Sequence, residues 1–164
     1  MKSNNIAQGG IVIALTLIIL YSASILPVST LTVLTIASCL IPICIIRTSV
    51  KNALLVYISS TILSFFLVKI DIAIYYGLFF GIYGIIKCLI EKLNKFAIEI
   101  ILKLISFNFL LGIGYFLISS FLGINELKLP IYLLFIIAQV VFLIFDYALT
   151  LIITFYLNKI HKAS

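Results

Sequence analysis

Long apolar runs follow one another along nearly the whole chain, and the polar breaks between them are only a few residues long. Six runs can be marked, at about 9–26, 30–46, 52–68, 70–90, 97–123 and 129–157. Each reaches the roughly 17 residues that a helix needs to cross the hydrocarbon of a bilayer. In lipid, an open strand edge leaves backbone N–H and C=O groups without partners. Runs rich in Ile, Val and Phe would favour strands in water, yet here they are expected as helices. The chain is 65% hydrophobic and 10% charged, against roughly 45–50% and 25% in soluble domains. A soluble fold of 164 residues buries only part of its surface and could not hide so much apolar area. The expectation is an all-α, polytopic integral membrane protein. Residues 1–164 form one transmembrane domain of about six helices, with the lipid bilayer as its solvent.

The breaks have their own chemistry. Pro27 to Thr30 ends the first run, and Ser29 or Thr30 is placed to cap the second helix. Arg47 to Asn52, Lys69 to Asp71, Glu91 to Lys95 and Gly123 to Pro130 separate the remaining runs. Pro42 lies inside the second run and is expected to kink it or end its regular part. The first run has Lys2 before it and Ala23 near its end, as a signal peptide would, but another run follows at once, so it is expected as a retained helix. With the N-terminus inside, nine basic residues fall on the inner side: Lys2, Arg47, Lys51, Lys87, Lys92, Lys95, Lys103, Lys159 and Lys162. Two, Lys69 and Lys128, fall outside. That asymmetry predicts both termini in the cytoplasm. It also accounts for the net charge of +6 without nucleic acid.

Lys87, Glu91, Lys95, Glu99 and Lys103 stand four apart and alternate in sign. On one continuous helix they would form a ladder of i,i+4 ion pairs on a cytoplasmic interfacial docking helix. Alternatively, they belong to two helix ends that meet near Asn94.

Asp146 is the one residue read as lying well inside a run at an energetic cost. A carboxylate near the bilayer centre costs about 2.5–3.5 kcal/mol on insertion scales. Gln139, seven residues earlier, and Thr150, one turn later, complete a polar stripe on the last helix. Asn108 in the fifth run is expected at a similar depth. These four residues are the candidate substrate-binding or proton site. The structural alternative is a hydrogen bond from Asp146 to Asn108 or to a tyrosine. On the functional reading, Asp146→Leu abolishes transport or ligand binding and leaves the protein inserted.

Gly10 and Ala14 in the first run, and Gly77, Gly81 and Gly84 in the fourth, put small residues on one helix face. Such faces let helices approach closely in lipid. They serve internal packing or, for Gly10 and Ala14, contact with a separate membrane subunit. Tyr75, Tyr76, Phe79, Phe80 and Tyr83 crowd the fourth run, as core filler or as a stacking surface for a flat ligand. Cys39, Cys44 and Cys88 form no C-x-x-C pair, and His161 stands alone in what reads as a solvated tail. No metal site, disulfide or cofactor is expected. The chain has no H-E-x-x-H, G-x-S-x-G or P-loop pattern, so it is not expected to be an enzyme, and any use of ATP must come from a partner.

The chain resembles the substrate-binding S components of energy-coupling factor transporters, and also small clostridial-type membrane proteins loosely grouped with them. The resemblance lies in six short basic-flanked spans and in the stretch Ile6 to Leu15. It implies that Gly10 and Ala14 contact a transmembrane coupling subunit, which in turn works with ATPase subunits. It implies small-solute uptake across a bacterial cell membrane. The alternative is a membrane scaffold or regulatory subunit that transports nothing. A carrier working alone on protons or ions lacks a second intramembrane charge beside Asp146.

Overall fold

A computed structural model describes residues 3–25, 29–93, 95–122 and 131–163. These residues are helical almost throughout, with no strand among them. Helices α1 (Ser3–Ile25), α2 (Thr30–Arg47) and α3 (Val50–Leu67) follow in order. The next helix begins as α4 (Ile70–Tyr75), widens into a π-helical turn (Tyr76–Phe80) and continues as α5 (Gly81–Glu91). Then come α6 (Phe96–Leu122) and α7 (Ile131–Ala163). Among the described residues, six spans are long and apolar enough to cross a membrane: Asn4–Ile25, Thr30–Arg47, Val50–Leu67, Ile70–Glu91, Ala97–Gly114 and Phe135–Asn158. They coincide with the six apolar runs. The turn expected at Gly123 to Pro130, and the first half of the break at Pro27 to Thr30, lie outside the described residues.

Local chemistry explains the breaks. The Ser49 hydroxyl accepts a hydrogen bond from the Asn52 N–H at 3.3 Å and so caps α3. Ser29 occupies the same position before α2 but makes no side-chain cap bond. Its carbonyl instead accepts the Thr32 and Val33 N–H groups. The break between α3 and α4 is as tight as its sequence suggests, and the Lys69 N–H donates to Ser24 Oγ at 3.4 Å. At the opposite end, Asn52 Nδ2 donates to the Asn5 carbonyl at 2.9 Å. The last helix runs on to Ala163, so the backbone around His161 is helical.

The first four spans pack closely. Leu20 of α1, Leu34 and Ala37 of α2, and Ile72 and Tyr76 of the fourth span form one buried cluster. Ile41, Cys44, Ala53, Val56 and Ile85 form another. Glycine makes this approach possible. A Cβ on Gly77 would come 2.9 Å from Thr61 Cγ2, and one on Gly81 would come 2.8 Å from the Tyr57 ring. Internal packing is therefore what this glycine face does. Pro42 does not end α2, which continues to Arg47. Having no N–H, Pro42 leaves the Ser38 carbonyl without its helical donor. Gly84 packs against that gap: its Cβ would lie 3.2 Å from the Ser38 oxygen and 2.9 Å from Pro42 Cδ. Serines and threonines inside this region turn back on their own helices. Thr16 Oγ1 donates to the Val12 carbonyl and Ser64 Oγ to the Thr61 carbonyl, so few polar groups are left to interact across it.

Candidate functional site

Asp146 lies near the middle of α7, and its carboxylate has partners on two other helices. Lys87 Nζ is 2.5 Å from Oδ1, and the Tyr83 hydroxyl donates to the same oxygen at 2.7 Å. Lys103 Nζ lies 3.2 Å from Oδ2. Lys87 also reaches Glu91 Oε1 at 2.9 Å and Thr150 Oγ1 at 2.7 Å, and Lys103 reaches Glu91 Oε1 at 2.8 Å. Two ammonium groups thus face two carboxylates, and the formal charges cancel. Lys87 has no exposed surface, while the Asp146 side chain keeps 18% of its own.

Helix periodicity builds this cluster. Tyr83, Lys87 and Glu91 are four apart on α5 and share one face, as do Asp146 and Thr150 on α7. The chain leaves the helix after Glu91 and re-enters it at Phe96, which folds Lys103 back toward Glu91. The five charges from Lys87 to Lys103 are therefore not a ladder on one helix. They belong to two helix ends, and no interfacial docking helix forms. Lys87 and Lys103, counted among the inner-side charges, lie inside the fourth and fifth spans and pair with Asp146. The expectation that Asp146 has no intramembrane charge beside it fails for the same reason.

The polar stripe expected on the last helix divides. Asp146 and Thr150 join the ionic cluster. Gln139 instead donates from Nε2 to Asn108 Oδ1 at 2.6 Å, and Asn108 Nδ2 donates to the Leu104 carbonyl at 2.8 Å. Of the two hydrogen bonds open to Asp146, it makes the one to a tyrosine, Tyr83, while Asn108 pairs with Gln139.

A cavity of about 160 Å³ lies between the last three spans, lined by Phe79, Phe80, Tyr83, Phe107, Leu110, Ala138, Val141, Phe142 and Phe145. Its rings order one another. Phe107 stacks on Phe142 at 4.1 Å and 13°, and Tyr83 stands edge-on to Phe142 at 5.1 Å and 80°. The π-helical turn contributes Phe79 and Phe80 to this wall. A π turn displaces the regular hydrogen-bond pattern, and such turns are frequent at functional sites. On its other side, the Tyr57 hydroxyl donates to the Gly77 carbonyl at 2.6 Å. Tyr83 links the two halves of the site, with its ring in the cavity wall and its hydroxyl on Asp146.

Gly10 and Ala14 are both exposed, and a Cβ on Gly10 would meet nothing within 4 Å. This small-residue face therefore takes no part in internal packing. Its neighbour Gly9 does, since a Cβ there would come 3.3 Å from Val56 Cγ2. Among the described residues, no group of three His, Cys, Asp or Glu side chains could hold a metal ion.

Sequence reasoning singled out Asp146 and Thr150 but missed Lys87, Glu91 and Lys103 as their partners. The i,i+4 spacing of Tyr83, Lys87 and Glu91 was the available signal. The chain matches no protein-family model, no curated protein and no solved structure.

Proposed function

We propose that this chain is the solute-binding component of an uptake system in a bacterial cell membrane, working with partner subunits that supply the energy. The observation that carries this reading is the convergence of Tyr83, Lys87, Glu91, Lys103 and Asp146 beside an aromatic cavity. Ionisable residues inside membrane spans are costly and mark functional sites by default. Here, Tyr83 gives a bound solute a direct connection to the charges. Both termini are cytoplasmic on this reading. With Lys87 and Lys103 withdrawn into the bundle, Lys2, Arg47, Lys51, Lys92, Lys95, Lys159 and Lys162 still oppose only Lys69 and Lys128. The open face at Gly10 and Ala14 is where a coupling subunit would sit, in keeping with the resemblance to S components. The chain has no nucleotide-binding motif, so ATPase subunits would be separate.

One observation favours a second reading, a scaffold or regulatory subunit. The ionic cluster is neutral and internally satisfied, as a purely structural clamp would be. Purification of the tagged chain from its own membrane in mild detergent separates the two. Recovery of a coupling protein with ATPase subunits is the expected result. A lone ligand-free oligomer, or a cell-envelope partner in their place, overturns the uptake reading.

A further inference from the structure

We infer that the cavity between the last three spans binds one neutral, planar apolar ring system, of one ring or two fused rings. The inference rests on the solute-binding reading above and names the class of solute. Size is the first argument. The cavity is half open at the surface, and its volume of about 160 Å³ is close to the roughly 150 Å³ of an engineered, closed apolar cavity that takes up benzene. The lining chemistry is the second. Every lining side chain is apolar except Tyr83, and the Tyr83 hydroxyl is already committed to Asp146 at 2.7 Å. A polar or charged solute would leave water and find no group free to pair with it. The nearby charges cancel within their own cluster.

Ring geometry decides against a cation. An aromatic cage for an ammonium group turns several ring faces toward the ligand. Here Phe107 and Phe142 turn faces on each other at 4.1 Å and 13°. Phe80 and Phe145 meet edge to face at 5.0 Å and 73°. A further flat ring extends this pattern of stacked and edge-on contacts, which aromatic pairs favour beyond the area they bury. The π-helical turn sets Phe79 and Phe80 in the wall, so the cavity is built on a displaced backbone pattern and is not a casual gap.

The probe is 5-fluoroindole, observed by 19F NMR with the full chain in phosphatidylcholine nanodiscs. Empty nanodiscs and the Ala138→Phe variant serve to subtract partition into lipid. A saturable signal with the native chain, weakened about tenfold or more when Phe fills the cavity, is the expected result. If Ala138→Phe does not fold, Val141→Phe adds bulk to the cavity wall one turn further along the same helix face and carries the same expectation. No saturable component, or equal signals from native and filled chains, overturns the inference. So does displacement of the probe by tetramethylammonium, which would make the cavity a cation cage. So does a retained phospholipid that the probe cannot displace, which would make it a lipid-tail site. Failure here is distinct from failure of the uptake reading. A chain that recovers its partner subunits but never binds the ring loses only the solute class. One that binds the ring but associates with no energising subunit loses only uptake.

Discussion

The second and third spans approach the fourth through glycine, whereas the fifth and sixth reach it through long side chains. On one side of the fourth span, Gly77, Gly81 and Gly84 lie against Thr61, Tyr57 and Pro42 with no room for a methyl group. On the other side, Phe80, Tyr83 and Lys87 extend to Phe145, Phe142 and Asp146. Lipid is as apolar as leucine, so burial of apolar area does little to drive helices together there. What remains is close packing of backbones or pairing of polar groups, and this fourth helix packs closely on one side, with the Tyr57–Gly77 and Ser60–Tyr76 bonds across it, and pairs charges on the other. The glycine side holds shape, and the Tyr57 and Ser64 hydroxyls there are bonded to backbone carbonyls. The long-chain side leaves a cavity and places charges next to it.

The largest effect is expected from breaking the charged side. Asp146→Leu leaves Lys87, which has no exposed surface, with only Glu91 and Thr150 as side-chain partners. Removing one member of a buried pair costs about 3–5 kcal/mol. The expected outcome is a marked loss of stability in unfolding by SDS from mild detergent. The double variant Lys87→Met with Asp146→Leu should recover most of it, because no charge is then left unpaired. This changes the meaning of the single variant: failure to accumulate reflects the stranded lysine, and the proposed role of Asp146 in uptake is better tested in the double variant. Wild-type stability in Asp146→Leu would show that the cluster does not hold the last two spans.

The glycine side should be next. Gly84→Leu drives a side chain into Pro42 Cδ at 2.9 Å and toward the Ser38 oxygen at 3.2 Å. Neither is the flexible end of a long chain. Overpacking of this kind costs about 1–3 kcal/mol, and the same SDS titration reads it. If Gly84→Leu proves more damaging than Asp146→Leu, close backbone approach and not ion pairing dominates the stability of the fourth span.

Much of this architecture was legible before any coordinates. The apolar runs place all six spans, because helix length against bilayer thickness is a coarse test that tolerates errors of a few residues. Asp146 was legible for a similar reason: one carboxylate in an apolar helix is conspicuous wherever the boundaries fall. Its partners were not. Lys87 lies one turn from the end of its helix, and Lys103 lies two turns from the start of the next. A shift of a few residues in either boundary decides between a loop charge and a buried one. Whether Asn108 meets Asp146 or Gln139 depends on the offset of α6 along α7, since the two α7 residues are seven apart on nearly one face and about 10 Å apart in depth. With large apolar residues all along α6, such as Ile101, Leu104, Ile105, Phe107 and Phe109, nothing in the sequence sets that offset. The π-helical turn was hidden altogether, since nothing in Tyr76 to Phe80 distinguishes a five-residue from a four-residue hydrogen-bond step.

The smallest effect belongs to a glycine that looks the same in sequence and sits differently. Gly10 and Gly84 both belong to small-residue faces, yet a Cβ on Gly10 meets nothing within 4 Å while one on Gly84 meets three atoms. Gly10→Leu should therefore leave stability within about 0.5 kcal/mol of the native chain, as outward substitutions generally do. Leucine at this position also suits lipid, so insertion should be unaffected. Any loss then falls on whatever covers this face from outside. The SDS titration and partner recovery, measured on the same preparation, separate the two. Unchanged stability with lost partner subunits makes the first helix a contact surface for another chain. Unchanged stability with all partners retained returns that surface to lipid. A stability loss as large as that of Gly84→Leu would mean that Gly10 is packed internally after all, and the contrast between the two glycine faces would disappear.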